Sequence, residues 1–255
     1  MTTTIFEDWL ATPQGQYVLN WEMVKHDMLL ADVFGFNAVQ IGMLRHDYLR
    51  NNRMPFRFRC DSIIEPEPPC EVYTDIHHLP FSAQSVDLIL LPHILEFDSN
   101  PHQILREVER VLVPEGQVVI TGFNPYSLWG MRRHFGAARN AMPWNGRYIS
   151  VPRLRDWFAL LGFETRAGVF GCYAPPLRHE KWLRRWEFIE YAGDRWWPFT
   201  GAVYVIQAIK RVQGMRLIMP TWADRRARAK ATAAVTQQIT QTRMFASTTS
   251  EDENA

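Results

Sequence analysis

Residues Asp75–Asn124 read DIHHLPFSAQSVDLILLPHILEFDSNPHQILREVERVLVPEGQVVITGFN, and this stretch decides the fold. Leu88-Ile89-Leu90-Leu91 is an unbroken apolar run, the pattern of a parallel strand covered on both faces. Asn100-Pro101-His102-Gln103 then opens a helix. Asn is a preferred cap, Pro suits the first helical position, and Gln at the third reaches back toward the cap. Ile104, Leu105, Val108, Val111 and Leu112 fall on one stripe of that helix, and Arg106 and Arg110 lie toward its C-terminal half, where the dipole favours cations. Pro114-Glu115-Gly116 turns the chain, and Gln117–Thr121 predicts a second buried strand. Strand, helix and parallel strand make a βαβ unit, so the fold class is α/β.

Working outward, Phe34–Met43 (FGFNAVQIGM) predicts the first strand and its exit turn, with the single glycine Gly42. Arg45–Asn52 predicts a two-turn helix, and the alternating MPFRFRC of Met54–Cys60 a second strand. Asp61 ends that strand about twenty residues past Gly42, where Rossmann-like folds place the acid that binds ribose hydroxyls. Glu65 and Glu67 in the proline-rich loop are alternatives, and all three can equally be solvated loop charges. Leu91-Pro92-His93 closes the strand beyond Asp75 at its carboxyl end, the ligand edge of open α/β sheets. His93 there is either a base that orients a substrate or a packed structural histidine. The pair His77-His78, with Cys60 and Cys70 near in sequence, matches no zinc spacing, and no metal site is expected.

Before this core, Tyr17, Val18, Trp21, Val24, Met28 and Leu29 keep a helical period, predicting a helix that packs on the sheet or acts as a lid. After it, Arg132, Arg133, Arg139 and Arg147 interleave with Trp129, Phe135 and Trp144. That segment reads as a solvated basic insert, or as a cap over an anionic acceptor with a greasy body. Ser150 and Pro152 open a helix carrying Leu154, Trp157, Phe158, Leu160 and Leu161 that stops at Gly162. Phe163–Gly171 and Ala202–Lys210 predict two further strands, with a short amphipathic helix at Trp182–Ile189 between them.

The stretch from Asp75 resembles the second half of the class I S-adenosylmethionine-dependent methyltransferase domain, in the type shared with ubiquinone and menaquinone methyltransferases. The resemblance rests on Asp75, Leu79-Pro80-Phe81, Ser85-Val86-Asp87, His93–Phe97, Leu105-Arg106-Glu107, Arg110-Val111-Leu112 and Pro114-Glu115-Gly116, in order and in spacing over about fifty residues. It implies a Rossmann-like, mostly parallel sheet with helices on both faces, ending in strands six and seven with the last inserted antiparallel. It implies S-adenosyl-L-methionine as cofactor, with Asp75 and Ile76 at adenine, Asp61 at ribose, Gly42 beside the methionine portion and Leu91 lining the cleft. His93 is then the one candidate base for an acceptor that must lose a proton. The chain departs from the family at Gln40–Arg45 (QIGMLR), with one glycine and no acid where three glycines and an acid are usual. The first half is trimmed, and Met43 and Leu44 should narrow the pocket. The expected organisation is an N-terminal helical segment (1–32), a methyltransferase-like domain (33–214) with substrate-cap inserts at 126–148 and 172–200, and a flexible tail (215–255). The expected function is methyl transfer to a small, partly apolar acceptor; a catalytically inactive binding or scaffolding protein of the same fold is the alternative.

Composition narrows this further. The 255 residues are 47% hydrophobic, enough for one substantial core, and 28 basic against 27 acidic residues leave no field for nucleic acid. No G-x-G-x-x-G motif suggests a nicotinamide enzyme. Three cysteines suit a reducing compartment, and MTTTIFEDWL has no secretory pattern, so a cytoplasmic protein is expected. The aromatic, basic segment 178–199 is suited to peripheral membrane contact.

Overall fold

A computed structural model describes residues 2–62, 71–135, 141–176, 190, 197 and 199–211. Glu65, Glu67, Cys70, Arg139, the predicted helix Trp182–Ile189, most of the segment 178–199 and the tail 215–255 lie outside the described residues. In chain order the elements are α1 (Thr2–Leu10), α2 (Pro13–Leu30), β1 (Asn37–Ile41), β2 (Phe56–Asp61), β3 (Val72–Tyr73), β4 (Val86–Pro92) and α3 (Ile94–Phe97). They continue with α4 (Pro101–Val111), β5 (Leu112–Phe123), α5 (Leu128–Phe135), α6 (Val151–Leu160), β6 (Phe163–Gly171) and β7 (Val203–Lys210).

The strands form one sheet in the order β3-β2-β1-β4-β5-β7-β6. Strands β1 to β5 pair in parallel, and β7 lies antiparallel between β5 and β6. This is the mixed, mostly parallel sheet that the resemblance implies. Successive strand residues face opposite sides, so β4 divides its apolar run between two cores. Ile89 and Leu91 pack with Ile104, Leu105 and Val108 of α4, while Leu88 and Leu90 face α1 and α2.

Helix starts depart from the capping signals. Pro101 and Pro152 stand in the first turns as expected, but neither Asn100 nor Ser150 makes a side-chain cap bond. Asp98 instead holds the entry to α4, its Oδ1 accepting from the Asn100 amide at 2.6 Å. On α6, Leu154 and Phe158 are buried, whereas Leu160, expected on the apolar stripe, is 85% exposed.

The α2 helix keeps part of its expected face: Val18 is buried, and Tyr17, Trp21 and Leu29 pack against the core. Val24 and Met28 are exposed, and the buried stripe is Gly15, Val18, Leu19, Glu22, His26 and Leu30. That stripe has the helical period, but two of its members are ionisable, so apolar periodicity misses part of it. Thr12 caps α2, its Oγ1 accepting from Gly15 N at 3.2 Å. Gly15 itself lies against the end of α1: a Cβ there would come within 2.3 Å of Trp9 O and Leu10 Cα, both backbone atoms that cannot step aside. Gly15→Ala is therefore expected to cost about 1–3 kcal/mol, read from the urea midpoint. A neutral result would mean that α1 shifts freely on α2.

Candidate functional site

Four sequence-predicted residues meet at the carboxyl ends of four adjacent parallel strands. Gly42 follows β1, Asp61 ends β2, Asp75 stands two residues beyond β3, and His93 follows β4.

At β1, Gly42 adopts φ 76° and its N–H donates to Cys60 O at 2.7 Å. The expected helix at Arg45–Asn52 is absent; these residues form turns. Gln40 explains why. Its buried Nε2 donates to the carbonyls of Gly42 (3.0 Å), Met43 (3.1 Å) and His46 (2.8 Å), and its Oε1 accepts from Tyr48 N at 3.0 Å. Carbonyls that converge on one amide cannot also align along a helix axis. Met43, also left-handed at φ 57°, is wholly buried in the core facing α1 and α2, and Leu44 is buried as well. An acid does reach this turn, but from α1: Glu7, also buried, accepts from Arg45 N at 3.1 Å.

At β2, Asp61 is 6% exposed, and its Oδ1 accepts from the Ser62 amide at 2.6 Å. Asp75 is half open to solvent, its side chain 56% exposed. Its Oδ2 pairs with His78 Nδ1 at 3.0 Å, and its Oδ1 takes the His77 amide at 2.9 Å and ring at 3.0 Å. The bonds from His78 and from His77 hold its carboxyl down at about 2. His77 in turn pairs with Asp98 at 3.0 Å, so both imidazoles of the pair have carboxylate partners. Ile76 is half-buried against the α4-side core. Leu91, implied as a cleft residue, is fully buried in that same core under α4, because the strand pleat turns it away from the α2 side.

His93 is the centre of a buried network that the sequence reading missed. It stands left-handed at φ 53°, its ring wholly inaccessible, between Phe6 (centroids 4.8 Å) and Phe123 (4.7 Å). Nε2 meets Glu22 at 2.6 Å and Nδ1 meets Glu96 at 3.0 Å. Burial alone would push the imidazole down, but the Glu22 and Glu96 carboxylates outweigh it and raise it to about 10. The general-base reading of His93 is thereby corrected: a proton held between two carboxylates leaves no lone pair to take another at neutral pH. The network continues through Glu22, which accepts from Tyr48 Oη at 2.8 Å, and through Glu96, which accepts from Phe123 N. Its neighbour His26, lowered by burial, bonds Glu22 O at 2.9 Å and Thr121 Oγ1 at 3.1 Å. The spacing of Glu22 three residues after the buried Leu19 is the one sequence signal that could have revealed it.

Beyond β5, Trp129 and Trp144 of the segment read as a cap or a solvated basic insert are buried in the core. On the α6 side a cavity of about 530 Å³ is lined by Asn124, Tyr126, Val151, Arg155, Phe170 and Phe199, among others. Among the described residues no His, Cys, Asp or Glu cluster is placed to hold a metal, and no helix is long and apolar enough to cross a membrane.

Comparison with known proteins agrees with this architecture. A methyltransferase-domain family profile matches residues 59–120. The Escherichia coli protein YafS, uncharacterised, is 45% identical over 97 residues, covering 38% of this chain and 40% of that one. A demethylmenaquinone methyltransferase of Chlamydia pneumoniae is 29% identical over 90 residues, 33% of this chain and 38% of that protein. The chain thus matches about two fifths of the length of these curated relatives. In three dimensions a SAM-dependent methyltransferase of Thermotoga maritima superposes with a TM-score of 0.57 at 16% identity, covering 82% of this chain and 99% of that one. Residues 59–120 are thus similar to a methyltransferase domain, and the strand order gives the chain a Rossmann-like methyltransferase fold.

Proposed function

We propose that this protein transfers a methyl group from S-adenosylmethionine to a small, partly apolar acceptor. The observation that carries the reading is the convergence of Gly42, Asp61 and Asp75 at the carboxyl ends of adjacent parallel strands, where open α/β sheets bind ligands.

The residues present suit the adenosine part of the cofactor. Gly42, left-handed and without a side chain, lets a ligand approach the backbone. The buried Asp61 carboxylate suits paired hydroxyls, and Asp75, held ionised, suits an exocyclic amine beside Ile76. At the methionine end the acid that the β1 turn lacks would come from Glu7, whose carboxylate also pairs with the Arg45 guanidinium at 3.5 Å. When bound, the cofactor provides an electrophilic methyl group on a sulfonium.

The protein's own part is alignment and exclusion of water. Phe6 and Phe123 roof the β4 end, and His93 acts as a positioning residue that ties α2 and α3 to it. Because His93 is already protonated, an acceptor atom that must lose a proton passes it to another group. Three cysteines in 255 residues form no disulfide framework, which fits a reducing compartment and so a cytoplasmic location.

Calorimetric titration with S-adenosylhomocysteine tests this. The wild type is expected to bind, with Asp61→Asn and Asp75→Ala each weakening affinity about ten- to a hundredfold, the worth of a charged hydrogen bond. No heat and no thermal shift at millimolar ligand would leave the fold in a non-catalytic use.

A further inference from the structure

Three buried hydrogen-bond donors lie together beside this edge, and among the described residues none has a partner. They are Trp144 Nε1, Tyr148 Oη and Arg132 Nε. Trp144 is 4% and Tyr148 9% exposed. The Arg132 guanidinium lies 5.1 Å from the Trp144 ring centre, and that of Arg133 lies 5.2 Å from the Tyr148 ring. Arg133 Nε also donates to Trp144 O at 3.0 Å, which binds the two halves of the patch together.

Leaving a buried donor unpaired costs about 1–3 kcal/mol, and folded proteins keep few of them. Three in one patch, with two guanidinium groups on its rings, point to an occupant that brings acceptors and negative charge. One water accepts from at most two of the three donors. An oxyanion fits: a carboxylate offers about four lone-pair sites and gains charge-assisted bonds from arginine.

The patch also touches the proposed site. Phe123 stacks on Tyr148 at 5.2 Å and lies tilted against His93 at 4.7 Å, so two ring contacts lead from the end of β4 to the donors. We propose that Trp144, Tyr148 and Arg132 anchor an oxyanion of the methyl acceptor, which is then a small aromatic or otherwise apolar carboxylate. This rests on the methyl-transfer reading above. The donor atoms are closed from solvent, so the loop 141–148 moves to admit the ligand.

The test uses the full chain with three probes: benzoate, its neutral counterpart benzamide, and inorganic phosphate. Tyr148→Phe keeps the ring and removes one donor; Trp144→Phe keeps an aromatic ring but removes the indole N–H together with the indole's second ring. Benzoate is expected to bind the wild type, benzamide at least about tenfold more weakly, and each variant to lose about tenfold in benzoate affinity, as one charged hydrogen bond would give. Both variants should keep wild-type affinity for S-adenosylhomocysteine, and Tyr148→Phe wild-type thermal stability as well, because in the free protein its hydroxyl bonds nothing; Trp144→Phe loses some stability through the smaller ring. Equal benzoate affinity in the wild type and both variants overturns the proposal, as does silence toward benzoate and phosphate alike at millimolar concentration. Binding of phosphate without benzoate marks a site for a free inorganic anion and overturns the acceptor assignment. If benzoate behaves as expected while S-adenosylhomocysteine gives no heat, the anion site stands and the methyl-transfer reading fails instead.

Discussion

Replacing Glu22 by alanine is expected to lower the free energy of unfolding by about 3–5 kcal/mol, the cost of removing one partner from a buried ion pair. Glu22 accepts from both His93 Nε2 and Tyr48 Oη with its side chain fully inaccessible. Its loss strands an imidazolium with Glu96 alone and leaves a phenol unpaired. Against a typical total stability of about 5–15 kcal/mol, that brings the domain close to its unfolding threshold. Urea unfolding of Glu22→Ala, His93→Ala and the double variant measures the coupling directly. Two small, additive effects would show that α2 is held by its apolar contacts instead.

The same network sets a pH dependence. In the folded state His93 titrates at about 10, above its unfolded value near 6.5. Its contribution is therefore complete below about pH 6.5 and is lost as pH rises through about 10, at up to about 1.4 kcal/mol per unit. His26, lowered by burial, acts in the opposite sense: the unfolded chain binds its proton first, so stability falls as pH drops below about 6.5. Tyr48, Tyr148 and Tyr204, all raised by burial, add losses only near and above pH 10. The wild type should thus lose urea resistance between pH 7 and 8, while His93→Gln shows no such slope over the same interval, since the buried Cys172 thiol adds its loss only above about pH 8.5. Parallel profiles for the two proteins would rule out a charged His93.

The second large effect runs against expectation from family resemblance. Placing an acid at the end of β1, by Gln40→Glu, should destabilise the protein by about 3 kcal/mol or more. Three carbonyl oxygens, those of Gly42, Met43 and His46, converge on the Gln40 amide nitrogen. A carboxylate would present oxygen to all three and bring a buried charge without a counterion. Gln40→Met removes the donors without adding charge and should cost less, about 1–3 kcal/mol. Comparing the two urea midpoints at pH 8 separates lost bonds from repulsion. Equal values would mean that the 42–48 turn opens and lets the new charge reach water.

The order of these effects follows what was legible in the chain. Leu88–Leu91, the stripe on α4 and the turn at Pro114-Glu115-Gly116 announce the βαβ unit, because burial on two faces of a parallel strand demands a local apolar pattern. Positions at strand ends follow once the strands are placed, which is why Gly42, Asp61 and His93 are legible as strand-end residues, while the place of Asp75 follows from the family resemblance. What His93 does there was not identifiable. Its partners are Glu22, 71 residues away, and Glu96, and a histidine's charge depends on who faces it. Residue type likewise misplaced part of the inner face of α2, since buried ionisable groups are stable only where a distant partner meets them. The turn after β1 was read as a helix because its sequence permits one, and Gln40 holds its carbonyls elsewhere. Sequence periodicity determined the βαβ unit and most of the strands, and the family resemblance implied the mixed sheet, because a buried strand demands a local apolar pattern. Only the tertiary structure decided which polar groups are buried, which are protonated and which donors await a partner, because those depend on pairings between residues far apart in the chain.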